Sequence, residues 1–182
     1  PTVSTTSIDA GTVEVGEPVR ETVTLSNEGG EPYTVSVDPD SAQVDATVLG
    51  PNEVFPGGET TVAINVNSSE TGQFDETITI NQTADAASLG ITDVTVSGDA
   101  VAPELTVEPT NVSFSDTATN SASSREVRLR NTGNATLEVA PQELTDADSI
   151  SVVNGDRVLR IGPGNSQNIT LGFAPDTNDT VT

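Results

Sequence analysis

The stretch Val23-Thr24-Leu25-Ser26-Asn27-Glu28-Gly29 returns later in the chain as Val127-Arg128-Leu129-Arg130-Asn131-Thr132-Gly133. In each copy apolar residues occupy alternate positions, which predicts a β-strand with one buried face. Each strand is followed by an Asn-x-Gly turn signal. A Pro-Gly turn then opens a further alternating strand, at Pro56 in the first copy and at Pro163 in the second. We therefore interpret the chain as two units built on one plan.

The first copy continues this alternation through seven short segments, and no window in it has a helical period. The predicted strands span residues 3–15 (interrupted at Ala10-Gly11), 18–27, 33–37, 44–49, 60–66, 74–80 and 91–96. Strands at this spacing are typical of an immunoglobulin-like β-sandwich. The predicted fold class is therefore all-β, as two tandem immunoglobulin-like β-sandwiches that span residues 1–102 and 103–182.

The second copy repeats this order over a shorter length. Its predicted strands span residues 105–107, 112–114, 125–131, 136–139, 150–153, 158–161 and 168–173. Asn154-Gly155 predicts a type I′ hairpin between the two strands that flank it.

Two strands of the first copy have no counterpart in the second. Aligning the copies places Val181 at the position of Phe74. The counterparts of the strands at 77–80 and 91–96 are then missing, so the second sandwich is predicted to expose an apolar face and a strand edge. Two explanations remain open: the chain is a fragment of a longer one, or a neighbouring molecule completes the sandwich by donor-strand complementation.

The composition indicates adaptation to salt. The 182 residues carry a formal charge of −22, with 28 acidic residues and six basic ones, all arginine. About ten lysines would be expected at this length. At molar salt the Debye length falls to about 3 Å, so closely spaced carboxylates hardly repel one another and keep the protein hydrated. We favour a halophile surface, and a merely acidic secreted domain from a mesophile is the alternative.

The same composition excludes several classes of function. Without Cys, His or Lys, the chain has no thiol nucleophile, Ser-His-Asp triad, Schiff-base lysine or imidazole zinc site. We therefore expect no enzymatic activity and no cofactor. Nucleic acid and anionic membrane surfaces would be repelled at ordinary salt. No stretch approaches the ~20 apolar residues of a membrane span, so no direct membrane insertion is expected.

Two sets of side chains are candidate sites. Asn-x-Ser/Thr sequons predict N-glycans at Asn67, Asn81, Asn111, Asn134, Asn168 and Asn178. Carboxylates that could gather Ca²⁺ at a sandwich loop are Asp38, Asp40, Asp45, Asp146 and Asp148. They lack the glycine and the downstream bidentate Glu of a dedicated calcium loop, and Asp-Pro-Asp is ordinary turn chemistry, so no specific metal site is predicted.

The remaining charged and aromatic residues are given structural roles. Arg128 and Arg130 should share the polar face of one strand and pair across strands with carboxylates such as Glu138. The aromatic residues are all predicted to lie in the core, namely Tyr33, Phe55, Phe74, Phe114 and Phe173.

Several of these segments together resemble a known family pattern. They are Ile8-Asp9-Ala10-Gly11-Thr12-Val13, the Val-x-Leu-x-Asn-x-Gly strand-turn, Pro56-Gly57 or Pro163-Gly164 before an alternating strand, and Phe173-Ala174-Pro175. This order is similar to that of the ASH-type (ASPM–SPD-2–Hydin) and choice-of-anchor-D immunoglobulin-like repeats. The sequence departs from the pattern at Ala10, where the family has Phe, and at Ser115-Asp116. The resemblance implies a spacer or interaction module of large surface proteins, with no catalytic residues to carry over.

The sequence therefore predicts a non-catalytic extracellular module of a halophilic archaeal cell-surface protein or filament. Its expected partner is protein, through self-assembly or a neighbouring surface protein, with β-strand complementation as one route. The alternative is a module of a secreted protein that binds glycans or a protein ligand through loops at one end of a sandwich.

Overall fold

All regular structure in the part of the chain that the structure describes is β-strand, as predicted. A computed structural model describes residues 1–39, 41–85, 87–142, 149–153 and 157–176. None of these residues forms a helix long and apolar enough to cross a membrane. By its internal contacts the chain divides into two compact units: unit 1 is Pro1–Val101 and unit 2 is Ala102–Thr182.

Unit 1 is an immunoglobulin-like β-sandwich. Its strands are β1 (Thr2–Val3), β2 (Ser7–Glu14), β3 (Val19–Ser26), β4 (Tyr33–Pro39), β5 (Val44–Val48), β6 (Glu53–Val54), β7 (Glu59–Val66), β8 (Gly72–Ala84) and β9 (Ala87–Val101). One sheet has the strand order β1-β3-β7-β5, and the other has the order β2-β9-β8-β4-β6. Apolar side chains of both sheets form one core.

The first predicted strand is in fact two strands that belong to different sheets. β1 pairs antiparallel with β3, whereas β2 pairs parallel with β9. The chain changes sheet between Val3 and Ser7. The break expected at Ala10-Gly11 is a β-bulge within β2, where Gly11 has a φ of 65° and its N–H donates to Asp9 Oδ1. A bulge of this kind bends a strand without ending it.

Alternation along the strands gives unit 1 a closed core. Val62, Ile64 and Val66 on β7 have no exposed surface, and neither do Ile78 and Ile80 on the facing sheet. Full burial of a Val, Leu or Ile side chain contributes about 1.5–3 kcal/mol. The predicted inward residues of this unit are therefore the ones that stabilise it.

Unit 2 repeats one sheet of unit 1 completely and the other only in part. Its strands are β10 (Leu105–Glu108), β11 (Ser123–Asn131), β12 (Leu137–Val139), β13 (Ile150–Val153), β14 (Leu159–Ile161) and β15 (Ser166–Phe173). The first sheet has the order β10-β11-β15-β13, which matches β1-β3-β7-β5. The second contains only β12 and β14 among the described residues, and these match β4 and β6.

The hairpin predicted at Asn154-Gly155 is wrong as a strand pairing. β13 pairs with β15 in the first sheet, whereas β14 pairs with β12 in the second. The two strands thus belong to different sheets and do not form a hairpin with each other. Asn154 and Gly155 themselves lie outside the described residues. The dipeptide gives only a local turn preference, and the choice of sheet is decided by packing.

Candidate functional site: the open face of unit 2

Strand register relates the two units residue by residue. Val23 pairs with Val62 in unit 1, and Val127 pairs with Ile169 in unit 2. On the other sheet, Tyr33 pairs with Val54 and Leu137 pairs with Ile161. Because these pairs coincide, each paired strand position of unit 2 has a defined counterpart in unit 1.

No strand among the described residues of unit 2 corresponds to β8 or β9, as the alignment predicted. In unit 1, β8 lies beside β4 and β9 lies between β8 and β2. These two strands also cover the inner surface of β7 with Ile78, Ile80, Val94 and Val96, all fully buried. Among the described residues of unit 2, β12 therefore has β14 as its only strand neighbour, and no counterpart of β8 or β9 covers β15.

The uncovered surface is apolar. We call it the open face, and its residues are Leu137, Val139, Ile169, Leu171 and Phe173. All five are only partly buried, whereas their counterparts in unit 1 (Tyr33, Val35, Val62, Ile64 and Val66) are at most 1% exposed. The buried core of unit 2 contains Val127, Leu129, Leu159 and Ile161, far fewer residues than the core of unit 1. An apolar sheet face that stays partly accessible in this way is a candidate interaction site.

The segment between β10 and β11, which contains Val112 and Phe114, also differs from its counterpart in unit 1. The alternating residues Val112 and Phe114 were predicted to form a strand, and by register they correspond to Ile8 and Ala10 in β2. The structure has no strand there among the described residues. In unit 1, β2 is held by backbone hydrogen bonds to β9. The described part of unit 2 contains no counterpart of β9, so this segment has no such strand there to pair with.

Phe114 instead packs across the open face. Its ring stacks on Phe173 with the centroids 5.2 Å apart and the planes at 30°. Neighbouring polar contacts hold the segment near β11, because Arg125 Nη2 donates to Ser115 Oγ and the hydroxyls of Thr117 and Ser123 lie 3.0 Å apart. The stack adds a ring contact at one end of the open face, and the other four residues of that face are partly buried.

A buried asparagine fixes the corner of each unit. Asn27 Nδ2 donates to the carbonyls of Glu31 and Val54, both at 2.8 Å, and its Oδ1 accepts from Gly29 N–H. In unit 2, Asn131 Nδ2 donates to the carbonyls of Ala135 and Ile161 at 2.7 and 2.8 Å. The Asn-x-Gly motif was interpreted as a turn signal alone. Its Asn also ties the turn to β6 or β14 and so holds the two layers together.

The predicted ion pairs of β11 are not the observed ones. Glu138 pairs with Arg160 across β12 and β14, with Nη2 and Oε1 2.7 Å apart. Arg128 donates instead to Ser166 Oγ. Both ends of the Arg160–Glu138 pair are largely exposed, so the pair contributes little to stability. The register of β12 against β14, which the sequence did not reveal, selects this partner.

One aromatic residue was placed wrongly. Phe55 is 61% exposed at the turn between β6 and β7 rather than buried in the core. It directly follows Val54, which points inward at 1% exposure. Side chains of neighbouring residues in an extended chain face opposite ways, so an inward Val54 turns Phe55 towards solvent. Tyr33 and Phe74 are buried as predicted, and Phe114 and Phe173 are partly buried.

The sequons are distributed over both units. Asn67, Asn111, Asn134 and Asn168 are exposed, and Asn81 on β8 is partly buried. Asn134 Oδ1 accepts from Ala102 N–H, and Asn168 Nδ2 donates to Glu126 Oε2. Asn178 lies outside the described residues. Glycosylation at these positions stays a prediction.

The candidate calcium ligands that lie among the described residues do not form a group. Asp38 lies on β4 and Asp45 on β5, which belong to different sheets. Asp40, Asp146 and Asp148 are outside the described residues. Over the part of the chain that the structure covers, no three acidic residues form a group that could hold a metal ion.

A shallow cavity of about 540 Å³ lies at the β2 bulge of unit 1. Its lining includes the side chains of Asp9, Gln73, Asp75 and Asp99 beside Gly98. The ring of Phe74 packs on Gly98 so closely that a Cβ there would lie 2.6 Å from it. The cavity offers hydrogen-bonding groups but no exposed aromatic ring.

Residues 2–98 match the family model of the HYDIN/CFA65/VesB-like Ig-like domain, which is more than half of the chain. The chain belongs to this family. The ASH-type resemblance drawn from the sequence motifs is thereby confirmed for unit 1, and the HYDIN/CFA65/VesB-like domain coincides with its sandwich. No curated protein sequence matches the chain.

Solved structures resemble this chain at low identity. The ASH/PapD-like domain 7 of human CEP192 is 15% identical, with a TM-score of 0.47, over 57% of this chain and 86% of that one. The VesB protease of Vibrio cholerae is 15% identical, with a TM-score of 0.44, over 54% of this chain and only 31% of that one. The CsuC–CsuE chaperone–adhesin complex of Acinetobacter baumannii is 9% identical, with a TM-score of 0.41, over 99% and 89%.

Proposed function

We propose that this chain is a non-catalytic structural and adhesive segment of an extracellular surface protein from a halophilic archaeon. Its unit 1 acts as a spacer, and its unit 2 accepts added β-strands on the open face. The observation that carries the proposal is the contrast between two units of one plan, one with a closed core and one with five partly buried apolar residues. A protein partner is the natural cover for such a surface, because strand addition supplies both backbone hydrogen bonds and apolar contact.

The extracellular, salt-adapted setting is supported by composition. A charge of −22 without a single lysine suits concentrated salt. The chain has no cysteine, so no thiol in it needs a reducing compartment. The exposed sequons at Asn67 and Asn111 fit an N-glycosylated surface protein. Mass spectrometry of protein from its native source should find at least one of the sequons occupied.

Strand acceptance can be measured on the chain itself. In molar KCl, sedimentation over a concentration series should show reversible association of the chain through the open face. Val139→Asp places a charge on that face and should weaken association at least tenfold. Thr136→Asp is the matched control, because it adds the same charge at an exposed position just before β12.

The alternative function is recognition of a glycan or protein ligand, and the cavity at the β2 bulge is the feature that favours it. A chain with that function should stay monomeric at every concentration, and its melting temperature should rise with sugar. Asp99→Asn should then abolish the rise. That pair of results would replace the proposal made here.

A further inference from the structure

The first half of β9 in unit 1 is an unpaired strand edge. β9 pairs with β8 from Ala87 to Ala100, but β2 pairs with its other side only from Thr95 onward. Among the described residues, no other strand lies on that side of β9. The stretch before Thr95 therefore has a row of backbone groups without a strand partner, and such an edge is a template for pairing with another chain.

Backbone hydrogen bonds show which residues face this free edge. Thr95 N–H donates to the Thr6 carbonyl, so the backbone groups of Thr95 point away from β8. Along a strand the backbone groups of successive residues point to alternate sides, and the β8–β9 register is unbroken from Thr95 back to Ile91. The N–H and C=O groups of Ile91 and Asp93 therefore face the free edge.

The side chains along this edge also favour pairing. Ile91 is 64% exposed, the largest value for a large apolar side chain in the part of the chain that the structure describes. Leu89 is 51% exposed. The carboxylate of Asp93 could repel an incoming strand, but its Oδ1 accepts a hydrogen bond from Thr79 Oγ1 on β8 at 2.9 Å. That bond draws the carboxylate towards β8 and away from the free edge.

The other edges of unit 1 are protected. β1 and β6 are each two residues long, and β2 is interrupted by the bulge at Gly11. β5 is longer, but its exposed side chains are Asp45 and Thr47. Short strands, bulges and edge charges are the usual devices against strand addition. The β8–β9 ladder also has a bulge, at Gln82, but β9 is regular from Ile91 onward.

We infer that this edge binds the same edge of a second copy of the chain, antiparallel and around a two-fold axis at Ile91. Between Ala87, where β9 begins, and Thr95, where its pairing with β2 begins, the free stretch is residues 88–94, and Ile91 is its middle residue. A stretch that pairs antiparallel with itself places its middle residue opposite its own copy. The two Ile91 residues then exchange both backbone hydrogen bonds, and their side chains cover each other. A second copy supplies an exposed isoleucine at the matching position, which an unrelated strand would supply only by chance.

Charge favours this register over a shifted one. Like charges directly opposite each other destabilise a strand pair. With the axis at Ile91, the Cα atoms of the two Asp93 residues lie about 14 Å apart. With the axis at Asp93, the two carboxylates would lie directly opposite each other. A second copy also brings a further charge of −22, which is screened in concentrated salt, so we expect the contact under those conditions.

The contact is independent of the open face of unit 2 and can be measured without it. In a chain with Val139→Asp, which places a charge on the open face, sedimentation in molar KCl should show a weak, reversible dimer, as expected for a small interface. Adding Ile91→Asp should weaken that dimer at least about tenfold, because two carboxylates then lie directly opposite each other. Ser36→Asp is the matched control. Ser36 pairs with Asn81 and Asn81 pairs with Ile91, so it adds the same charge to the same face of the sheet, two strands from the edge.

Cysteine substitution tests the register, since the chain has no cysteine of its own. A hydrogen-bonded antiparallel pair has its Cα atoms about 5.5 Å apart, a distance that a disulfide can bridge. In the Val139→Asp chain, Ile91→Cys should therefore form a disulfide-linked dimer in a buffer of oxidised and reduced glutathione. Asp93→Cys, whose two copies would lie about 14 Å apart, should form at least about tenfold less, although it removes a repelling charge.

Three results would contradict the edge contact. It is wrong if the Val139→Asp chain stays monomeric, or if Ser36→Asp weakens its dimer as much as Ile91→Asp does. Equal disulfide yields from Ile91→Cys and Asp93→Cys would overturn it as well, since the two-fold axis would not lie at Ile91. The proposed role of the open face fails on a separate result, namely that Val139→Asp leaves the association of the parent chain unchanged.

Discussion

At the scale of single residues, the buried asparagines do more than shape a turn. Asn131 has no exposed surface, and its side-chain amide donates both hydrogens, one to the carbonyl of Ala135 and one to that of Ile161. Asn131→Asp keeps the acceptor oxygen but removes both donors, which leaves two buried carbonyls opposite a carboxylate. The free energy of unfolding of unit 2 should fall by about 3 kcal/mol, measured by denaturant titration. The exposed Asn111→Asp is the control and should change it by less than about 0.5 kcal/mol.

The glycine of the same motif has a different importance in the two units. A Cβ at Gly133 would overlap the Ala102 carbonyl oxygen and would lie 2.6 Å from Glu104 N and 2.8 Å from Pro103 C. A Cβ at Gly29 would meet only Asn27 Oδ1, at 3.2 Å. Gly133→Ala should therefore lower the free energy of unfolding by about 3 kcal/mol, and Gly29→Ala should lower it by less than about 1 kcal/mol. The shift in the melting temperature of each variant measures the loss. Similar losses for both would mean that the approach of the Ala102–Glu104 backbone is adjustable.

Tyr33 gives the chain a measurable alkaline response. It is 1% exposed, its hydroxyl has no hydrogen-bond partner among the described residues, and burial raises the pKa of the phenol above 10.0. Above pH 10 the unfolded chain loses this proton while the folded chain keeps it, so the contribution of Tyr33 to stability should be constant below that pH and decrease above it. Because Tyr33 is the only tyrosine and there is no tryptophan, phenolate absorbance reports its pKa directly.

Tyr33→Phe supplies the control for that titration. In the variant, the decrease in stability above pH 10 that is due to Tyr33 should be absent. At neutral pH the variant should be at least as stable as the parent, since it removes a buried hydroxyl without a partner. A normal phenol titration in the folded parent would show that the hydroxyl reaches water.

At the scale of elements, β7 and β15 offer a matched comparison. Ile64 and Leu171 hold the same register position, but Ile64 has no exposed surface and Leu171 is partly buried. Ile64→Ala should lower the free energy of unfolding by about 4 kcal/mol because it opens a cavity in a closed core. Leu171→Ala should cost about half of that or less, since one side of its side chain has no partner atoms. Equal costs in denaturant unfolding would show that the open face is covered in the chain as it stands.

Strands set by local burial could be predicted from the sequence, whereas strands set by contacts with distant residues could not. The alternation in β3, β7, β11 and β15 reflects burial of one face, which the sequence records directly. The separation of β1 from β2, and of β13 from β14, is decided by which sheet offers a free edge, and no local pattern contains that information. The open face itself was predictable, because comparing two copies of one plan reveals what the second lacks. The partner of Glu138 and the exposure of Phe55 were not, because each depends on a register or a turn fixed by distant residues.

At the scale of the whole molecule, we expect the net charge to make stability depend on salt. With −22 on 182 residues, carboxylates repel one another across the surface when the Debye length is about 10 Å, as at 0.1 M salt, and hardly at all at molar salt. The melting temperature should therefore fall on dialysis from molar KCl to 0.1 M. An uncharged osmolyte at matched osmotic strength should not restore it, because screening requires ions. A melting temperature independent of salt would favour the mesophilic alternative.

The parallel pairing of β2 with β9 has a mechanical consequence for unit 1. These strands lie close to the two ends of unit 1 and run in the same direction, with pairs from Ser7–Thr95 to Glu14–Val101. A pull on the two ends therefore slides one strand along the other, and the hydrogen bonds between them are loaded together in shear rather than opened one after another. Under tension, unit 1 should hold its length until the whole β2–β9 ladder ruptures at once.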